Sequence, residues 1–422
     1  MNPFTKLRQS SYGKIIENTV MLAVLQLSNI ALSLVTSGYQ ARVFSEEGMK
    51  ILAYTNIYMP FFQLFIDFGF AISAVGKIAK HRDEPEYVNK VFTCVLEAKT
   101  AFILISALAI PIVLPNEFGM GLETLTYWLS MASIASFALL PDFVYRGFEN
   151  MSAITIRSVT IKVFATILIF VFAKGENDFY MVPLFTVLGN TGAIFVVYHH
   201  LHKKMKVHFV KVTVRDVLLE IKESSYFFAS RIASTIYGRV NGIIIKQLTG
   251  GMDVVYYERA SMVTDAARNG LVAPISESIY PHTMKNRNFG VIKKALMLTM
   301  PIMLLGCGLV FVLAEPICVL WLGEKVGPGV VMPLRALLPV VVISLPNYIL
   351  GFPTMSPMGL AKQANNSITF GTIIHLVNLA VLYFTGHMNL LTLCILTSVA
   401  ELIILIYRII IIYKNRYLMH EV

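Results

Sequence analysis

The chain has 422 residues, of which 56% are hydrophobic and 14% are charged, and its mean hydropathy is +0.67. A soluble protein of this length needs a far more polar surface, so the composition excludes a soluble globular domain. The net charge of +10 is explained by the basic loops described below, and it does not indicate a nucleic-acid partner.

Apolar runs of about 18 or more residues recur along the chain, and no stretch between them is long enough for a soluble domain. The pattern predicts an all-α polytopic membrane protein with about twelve transmembrane helices. In chain order, these helices are predicted at about residues 15–36, 50–76, 92–114, 122–142, 155–173, 179–199, 224–247, 255–280, 293–314, 331–352, 368–385 and 390–413.

Lys and Arg residues are strongly biased towards one side of this predicted bundle. Five fall in loops on one side, namely Arg42, Lys50, Lys174, Lys246 and Lys325. Seven fall within the helices, namely Lys99, Lys162, Arg231, Arg239, Arg259, Arg268 and Arg335. The remaining 23 of the 35 lie on the other side. The positive-inside rule makes that side cytoplasmic, and an even number of helices then places both termini in the cytoplasm.

A long polar stretch at 199–225 divides the predicted helices into two sets of six. We expect an N-lobe at 1–206 with helices 1–6 and a C-lobe at 207–422 with helices 7–12. The C-lobe begins with the amphipathic segment Val210–Lys222, which is suited to lying flat on the cytoplasmic surface. GMKILAY and GMDVVYY stand at the start of the second helix of each half. This weak repeat favours two lobes around a central cavity, which is a transporter plan.

The seven basic residues within the helices indicate a polar or wet interior. Each costs about 2.5–3.5 kcal/mol at the bilayer centre on insertion scales. Polar residues also form stripes on the first two helices of each half, which are the helices expected to face a central cleft. The members considered for a site are Asn18 and Asn29 in helix 1, Asn56, Gln63 and Asp67 in helix 2, Arg231, Arg239 and Asn241 in helix 7, and Glu258, Arg259, Asp265 and Arg268 in helix 8.

A structural role is the alternative for many of these residues, because polar side chains in a membrane bundle often bond neighbouring helices. Asp265 and Arg268 are three apart and suit a buried pair as well as a cavity. Lys99 suits either a transport path or a pair across helices. Arg231 and Arg239 have no acid at i±3 or i±4 in their own helix, which favours a cavity role.

Motifs for enzyme chemistry are absent from the sequence. There is no G-x-x-x-x-G-K-[ST] loop, no H-E-x-x-H and no Cys/His cluster, so we expect neither a cofactor nor a metal. The four cysteines lie in or beside apolar segments and are expected as free thiols. An ion gradient, or the gradient of the substrate itself, is then the expected source of energy.

Several segments resemble a known family when they are taken in order. They are ENTVMLAVLQLSN, GYQARVF, FFQLFIDFGFAISAVGKIAKHRDE, LEAK, PDFVYRGFENMSAIT, SRIASTIYGRVN, VYYERA, APISESIYPH and AEPICVLWLGEK, followed by Glu401 in the last helix. Together they resemble the Wzx-type O-antigen and capsular repeat-unit flippases of the multidrug/oligosaccharidyl-lipid/polysaccharide exporter superfamily. The chain departs from the family pattern at Gly76, Lys77, Arg146, Glu258 and Arg259.

The resemblance implies a V-shaped two-lobe fold in the bacterial plasma (inner) membrane that works by alternating access. The implied substrate is an undecaprenyl-diphosphate-linked oligosaccharide, with H⁺ or Na⁺ as coupling ion and a polysaccharide polymerase and a chain-length regulator as further partners. Arginine matches phosphate geometry, so the cationic set of the hypothesis is Arg231, Arg239, Arg268, Arg259 and Lys99. The polar and coupling set is Asp67, Gln63, Asn56, Asn29, Asn18, Asp265, Glu258 and Asn241.

Three other functions compete with this hypothesis. A cation-coupled multidrug exporter of the same superfamily would want acids rather than arginines on its cavity faces. A peptidoglycan-precursor flippase usually has two more helices than the twelve expected here. A membrane scaffold without transport would not need so many charges within the membrane.

Overall fold

The structure is a computed structural model that describes residues 11–114, 121–249 and 251–419. Within these ranges the chain forms helices and no strand. Ten of the described helical segments are long and apolar enough to cross a membrane. The prediction of an all-α polytopic membrane protein is therefore confirmed, whereas the number of twelve spans and the side of the termini stay predictions.

The chain divides into two compact units, Met1–Thr235 and Ile236–Val422. The helices of the first unit are α1 Ser11–Val43, α2 Glu46–Asp67, α3 Phe70–Lys80, α4 Pro85–Val113, α5 Leu122–Ala138, α6 Asp142–Gly147, α7 Met151–Phe172 and α8 Met181–His200. Helix α9, Val214–Leu248, contains the boundary. The predicted lobe boundary precedes this helix, and the two-lobe arrangement stays a prediction.

The second unit continues with a further set of helices. They are α10 Asp253–Ala267, a π-helical turn Arg268–Val272, α11 Ala273–Asn286, α12 Gly290–Val312, α13 Ala314–Leu350, α14 Phe352–Met355, α15 Ala361–Phe384 and α16 Leu390–Lys414. Helix α13 packs against α10, α12 and α16 and is the centre of this unit. It is kinked at Gly323, where φ is 80°. Residues 315–330, which the sequence placed in an outer loop, are helical on both sides of that kink.

The second predicted helix is not continuous, because it breaks between α2 and α3. Phe68 and Gly69 both adopt the left-handed conformation, with φ of 38° and 83°. A side chain at Gly69 would come within 2.8 Å of the Phe227 Cβ atom and the Ser224 carbonyl oxygen. Glycine is therefore required here both by the backbone angle and by the close approach of α9.

The first part of α9, residues 214–228, packs on α3 and α4, and we call it the docked segment. Lys77 Nζ lies 2.7 Å from Glu220 Oε2 and 2.5 Å from Glu223 Oε2. The hydroxyls of Ser73 and Ser224 are 2.6 Å apart. The rings of Phe68 and Phe228 stack at 4.3 Å between centroids. The amphipathic segment expected to stand alone before helix 7 is thus the beginning of one long helix.

A further ion pair joins the docked segment to the start of α4. Lys90 Nζ lies 2.7 Å from Asp216 Oδ1, and Thr213 also donates to the Asp216 carboxylate. The hydrogen bond from Lys90, followed by those from Thr213, lowers the pKa of Asp216 to about 2. Because the pKa of Asp216 is lowered, its carboxylate is charged and the ion pair is formed at every pH above the ordinary pKa of an aspartate. The pair is lost only as the pH falls towards 2.

Candidate functional site

A buried ion pair occupies the first unit at the end of α2. Asp67 is the last residue of α2, and its Oδ1 atom accepts a hydrogen bond of 2.9 Å from Lys99 Nζ. Lys99 also donates to the Ala138 carbonyl at 3.1 Å, and its side chain is only 6% exposed. A buried cation needs such partners. The structure therefore brings Lys99 and Asp67 together as a pair across α2 and α4, which was one of the two interpretations left open for Lys99.

The other predicted site residues of the first unit take different roles. Asn18 Oδ1 accepts from the backbone N–H of Met151 at 3.3 Å, which joins α1 to α7. The Asn29 carbonyl accepts from Lys162 Nζ at 3.5 Å, at the same contact between α1 and α7. The structure leaves Gln63 half-buried, Asn56 exposed and Arg231 half-buried on α9.

The second unit holds a group of charges that we call the charge cluster, made of Arg239, Asp265, Arg268 and Glu401. Arg268 Nη2 donates to Glu401 Oε1 at 3.0 Å, and the Glu401 side chain is only 6% exposed. Asp265 interacts electrostatically with both Arg268 and Arg239. The two arginines and two acids come from α9, α10, the π-helical turn and α16, so the cluster joins segments that are far apart in sequence.

The positions of the two arginines differ in exposure. Arg268 is half-buried, whereas Arg239 and Asp265 are exposed. Among the described residues, the structure gives Arg239 neither a hydrogen bond nor a salt bridge. The cluster therefore presents one arginine that is fixed by a buried carboxylate and one whose guanidinium is accessible.

A buried network behind the cluster fixes Glu401 in place. The other carboxylate oxygen of Glu401 accepts from Asn347 Nδ2 at 2.8 Å. Arg408 donates to the Asn347 carbonyl and, through Nε, to Ser367 Oγ at 2.8 Å. All three hydrogen bonds lie within the second unit, and Asn347 and Arg408 are both buried.

Sequence reasoning missed Asn347 and Arg408 as parts of this network. Arg408 was counted with the cytoplasmic residues, but it is 5% exposed. A signal for Arg408 was present, because it lies seven residues after Glu401 and therefore on the same face of an apolar helix. Asn347 carries no comparable signal, because a single amide in a helix gives no indication of its partner.

Asn241 is the centre of a second buried network in this unit. Its amide donates to Thr397 Oγ1 at 2.8 Å and to the Tyr257 hydroxyl at 3.3 Å. Its carbonyl oxygen lies 2.9 Å from His375 Nε2, and His375 has no exposed surface. These bonds join α9, α10, α15 and α16, so Asn241 holds helices together.

Glu258 and Arg259 are neighbours in sequence and interact with each other. Arg259 Nη1 lies 3.6 Å from Glu258 Oε2, and the Arg259 side chain is 3% exposed. A cation so deeply buried is not placed to meet a large ligand. Among the described residues, there is also no group of three or more side chains that could hold a metal ion.

A family model described as polysaccharide biosynthesis protein matches residues 15–287, which is more than half of the chain. A protein of Escherichia coli (strain K12) is 24% identical over 288 residues, covering 66% of this chain and 68% of that protein. A protein of Shigella dysenteriae is 23% identical over 394 residues, covering 91% of this chain and 97% of that protein. Both relatives carry the name "Putative O-antigen transporter".

Solved structures share the fold at low sequence identity. The lipid II flippase MurJ in an inward closed conformation matches with a TM-score of 0.72 at 16% identity, over 94% of this chain and 87% of that chain. An inward-facing multidrug resistance transporter of the MATE family, in the MOP superfamily, matches with a TM-score of 0.70 at 15% identity, over 94% of this chain and 99% of that chain. At these identities, the likeness shows the fold alone.

Proposed function

We propose that this chain, which belongs to the polysaccharide biosynthesis protein family, is a flippase for a lipid-linked oligosaccharide. Its substrate would be an undecaprenyl-diphosphate-linked repeat unit of an O-antigen or capsular polysaccharide. The protein would move this unit across the bacterial inner membrane by alternating access. The names of the two relatives that match it support this proposal.

The charge cluster is the observation that carries the proposal. A diphosphate is an anion that must leave water to cross the membrane, and an arginine offers it a planar set of donors. Arg239 is exposed, and Arg268 is held in a fixed position by Glu401 at 3.0 Å. An accessible arginine beside a fixed one suits the binding of a headgroup that carries two phosphates.

Three acids within the helices are already paired with cations, which favours an anionic substrate over a cationic drug. Asp67 is paired with Lys99, Glu258 with Arg259 and Glu401 with Arg268. A binding site for cationic drugs needs carboxylates whose charge is not already neutralised. These three acids would have to release their arginine or lysine partners before they could bind a cationic drug, which disfavours them as the binding site of a multidrug exporter.

We place the coupling function at Asp265 rather than at the paired acids. Asp265 is exposed and lies in electrostatic reach of both arginines of the cluster. Binding of H⁺ or Na⁺ there would change the net charge that the arginines present to a diphosphate. A polysaccharide polymerase and a chain-length regulator would act on the exported unit after this step.

The assignment is tested by deleting the gene for this chain in its native host. We expect surface polysaccharide to be lost and the lipid-linked repeat unit to accumulate in the cytoplasmic leaflet, with both restored by the wild-type gene. Using the native host avoids any selectivity for the glycan. Unchanged surface polysaccharide together with increased drug sensitivity would contradict the flippase and favour the drug exporter.

A further inference from the structure

A groove on the second unit lies beside the charge cluster and is almost wholly apolar. Its volume is about 390 Å³, and it is lined by residues of α10, the π-helical turn, α11, α12 and α13. Ala267, Leu271, Ile302, Met303 and Gly306 are among them. This volume falls in the range of small-ligand sites, which is about 300–1,000 Å³.

The apolar lining of the groove favours a hydrocarbon ligand over a polar one. Thr264 and Thr299 are its hydroxyl-bearing residues. Each donates to a carbonyl of its own helix, Thr264 to Ser261 at 3.0 Å and Thr299 to Ala295 at 2.7 Å. Both hydroxyl groups therefore already donate to backbone carbonyls. A polar ligand that entered the groove would lose its hydrogen bonds to water without gaining these donors.

The groove opens on a face suited to lipid. Ile302 and Leu271, both in its lining, are 65% and 57% exposed. Helix α12, which forms one wall, is strongly apolar, and Ile292 and Met303 are its buried residues. In a bilayer, such a face is covered by hydrocarbon chains.

The position of Arg268 indicates which kind of lipid chain binds in the groove. Ala267 and Leu271 in the groove wall flank Arg268, which begins the π-helical turn. Its partner Glu401 is the twelfth of the 25 residues of α16, so this ion pair lies near the middle of a helix long enough to span the bilayer. A phospholipid keeps its headgroup at the interface, whereas a lipid-linked substrate in transit must bring its phosphates to mid-depth.

We infer that this groove binds the polyprenyl chain of the lipid-linked substrate while Arg268 binds its phosphate. The inference rests on the proposed function and adds a site for the lipid part of the substrate. The first isoprene units would lie along Leu271 and Ile302, and the rest of the chain would extend into the bilayer.

Two glycines of α12 provide a matched pair of variants. Gly306 lines the groove and Gly308 does not, and a Cβ atom at either position meets no atom within 4 Å. We would measure the binding of undecaprenyl phosphate and of dioleoyl phosphatidylglycerol to the purified chain by native mass spectrometry. Gly306→Trp fills the groove, so we expect it to weaken undecaprenyl phosphate binding by about tenfold, while Gly308→Trp retains wild-type binding.

A second pair keeps the test decisive if Gly306→Trp does not fold. Ile302→Trp obstructs the groove, and Leu305→Trp places the same bulk outside its lining, at a residue that is 75% exposed. Equal weakening in the groove variant and its control would overturn the inference, as would unchanged binding in both groove variants. Phosphatidylglycerol bound as tightly as undecaprenyl phosphate, and lost in parallel with it, would show a site for bulk lipid and overturn it too.

The failure of this inference can be distinguished from the failure of the proposed function. Export by the wild-type chain in its native host tests the function without reference to the groove. If the wild-type chain exports the unit, and Gly306→Trp also binds and exports normally, then the role of the groove is rejected and the proposed function is not. Absence of export by the wild type would reject the function, whatever the binding result.

Discussion

At the scale of residues, two of the interior cations, Lys99 and Arg268, form ion pairs with acids of other helices. The sequence predicts that charges lie inside, because the hydropathy pattern places them there. It does not predict the partners, since Arg268 and Glu401 are 133 residues apart. Asp265, three residues before Arg268, was the partner suggested by spacing, but the bonded acid comes from the last helix. Pairing depends on the packing of distant helices, which local spacing does not report.

The accessible arginine of the charge cluster gives the first prediction. Arg239→Ala removes the exposed guanidinium, so we expect export of the repeat unit in the native host to fall by about tenfold or more. Arg239→Lys keeps the charge without the planar donors, so its export should lie between that of the wild type and that of Arg239→Ala.

The control for this series is Arg335→Ala. Arg335 also lies in an apolar helix, but its Nε atom donates to the Phe311 carbonyl at 3.0 Å and it lies outside the cluster. Export by Arg335→Ala should stay close to that of the wild type. Equal loss in Arg239→Ala and Arg335→Ala, at equal protein levels in the membrane, would argue against a specific role for the cluster.

The buried acid of the cluster gives the second prediction. Glu401→Ala removes the carboxylate shared by Arg268 and Asn347, although Asn347 keeps its hydrogen bond to the backbone carbonyl of residue 401. We expect a loss of stability near the lower end of about 3–5 kcal/mol, because Arg268 is partly exposed. Thermal unfolding in detergent would measure it. The double variant Arg268→Met with Glu401→Met should recover part of the loss.

Glu324→Ala is the control for that measurement, since Glu324 is an exposed acid of the same unit. Its effect should lie within about 0.5 kcal/mol. A Glu401→Ala protein that unfolds at the wild-type temperature would show that the pair with Arg268 does not stabilise the fold.

At the scale of elements, each of the twelve predicted segments is mainly helical in the structure, because long apolar runs in a membrane protein have few alternatives. The sequence does not predict the break at Phe68 and Gly69. That break depends on α9 approaching from more than 150 residues away, with Phe228 stacked on Phe68. The sequence likewise does not predict that the docked segment and the predicted helix 7 form the single helix α9. The position of the docked segment depends on contacts with side chains of α3 and α4, which are distant in sequence.

The break between α2 and α3 gives the third prediction. Gly69→Ala forces a side chain into a left-handed residue and against Phe227, so we expect a destabilisation of about 1–3 kcal/mol. Gly76→Ala, in helix α3 with nothing within 4 Å, should instead be neutral or stabilise by about 0.5–1 kcal/mol. Thermal unfolding of the two variants side by side checks this, and equal stabilities would contradict it.

The docked segment gives the fourth prediction. Lys77→Met removes the cation shared by Glu220 and Glu223 and leaves the buried Glu220 carboxylate without it. We expect amide hydrogen exchange across residues 214–225 to become about tenfold faster. Lys80→Met, at an exposed position of the same helix, should leave the exchange unchanged. Slow exchange in both variants would show that the ion pair does not hold the segment.

At the scale of the whole molecule, composition and hydropathy were enough to predict the fold class, since no soluble architecture accommodates this much apolar surface. They are less informative for α9 and α10, which lie outside the ten apolar segments. These two helices carry Arg231, Arg239, Glu258 and Arg259, and the charges that lower their hydropathy are the reason to assign them a function. The segments in which the membrane prediction is weakest thus coincide with those in which the functional signal is strongest.

The central claim is that this chain moves a lipid-linked oligosaccharide across a membrane. The most direct test is the transbilayer movement of the native host's repeat unit, isolated on its undecaprenyl diphosphate, in liposomes containing the purified chain. Accessibility of the glycan to an externally added glycosidase reports its leaflet. We predict that the wild-type chain moves the unit much faster than empty liposomes do, and that Arg239→Ala slows this movement while Arg335→Ala does not. Movement no faster than in empty liposomes, with an imposed H⁺ or Na⁺ gradient and without one, would contradict the account.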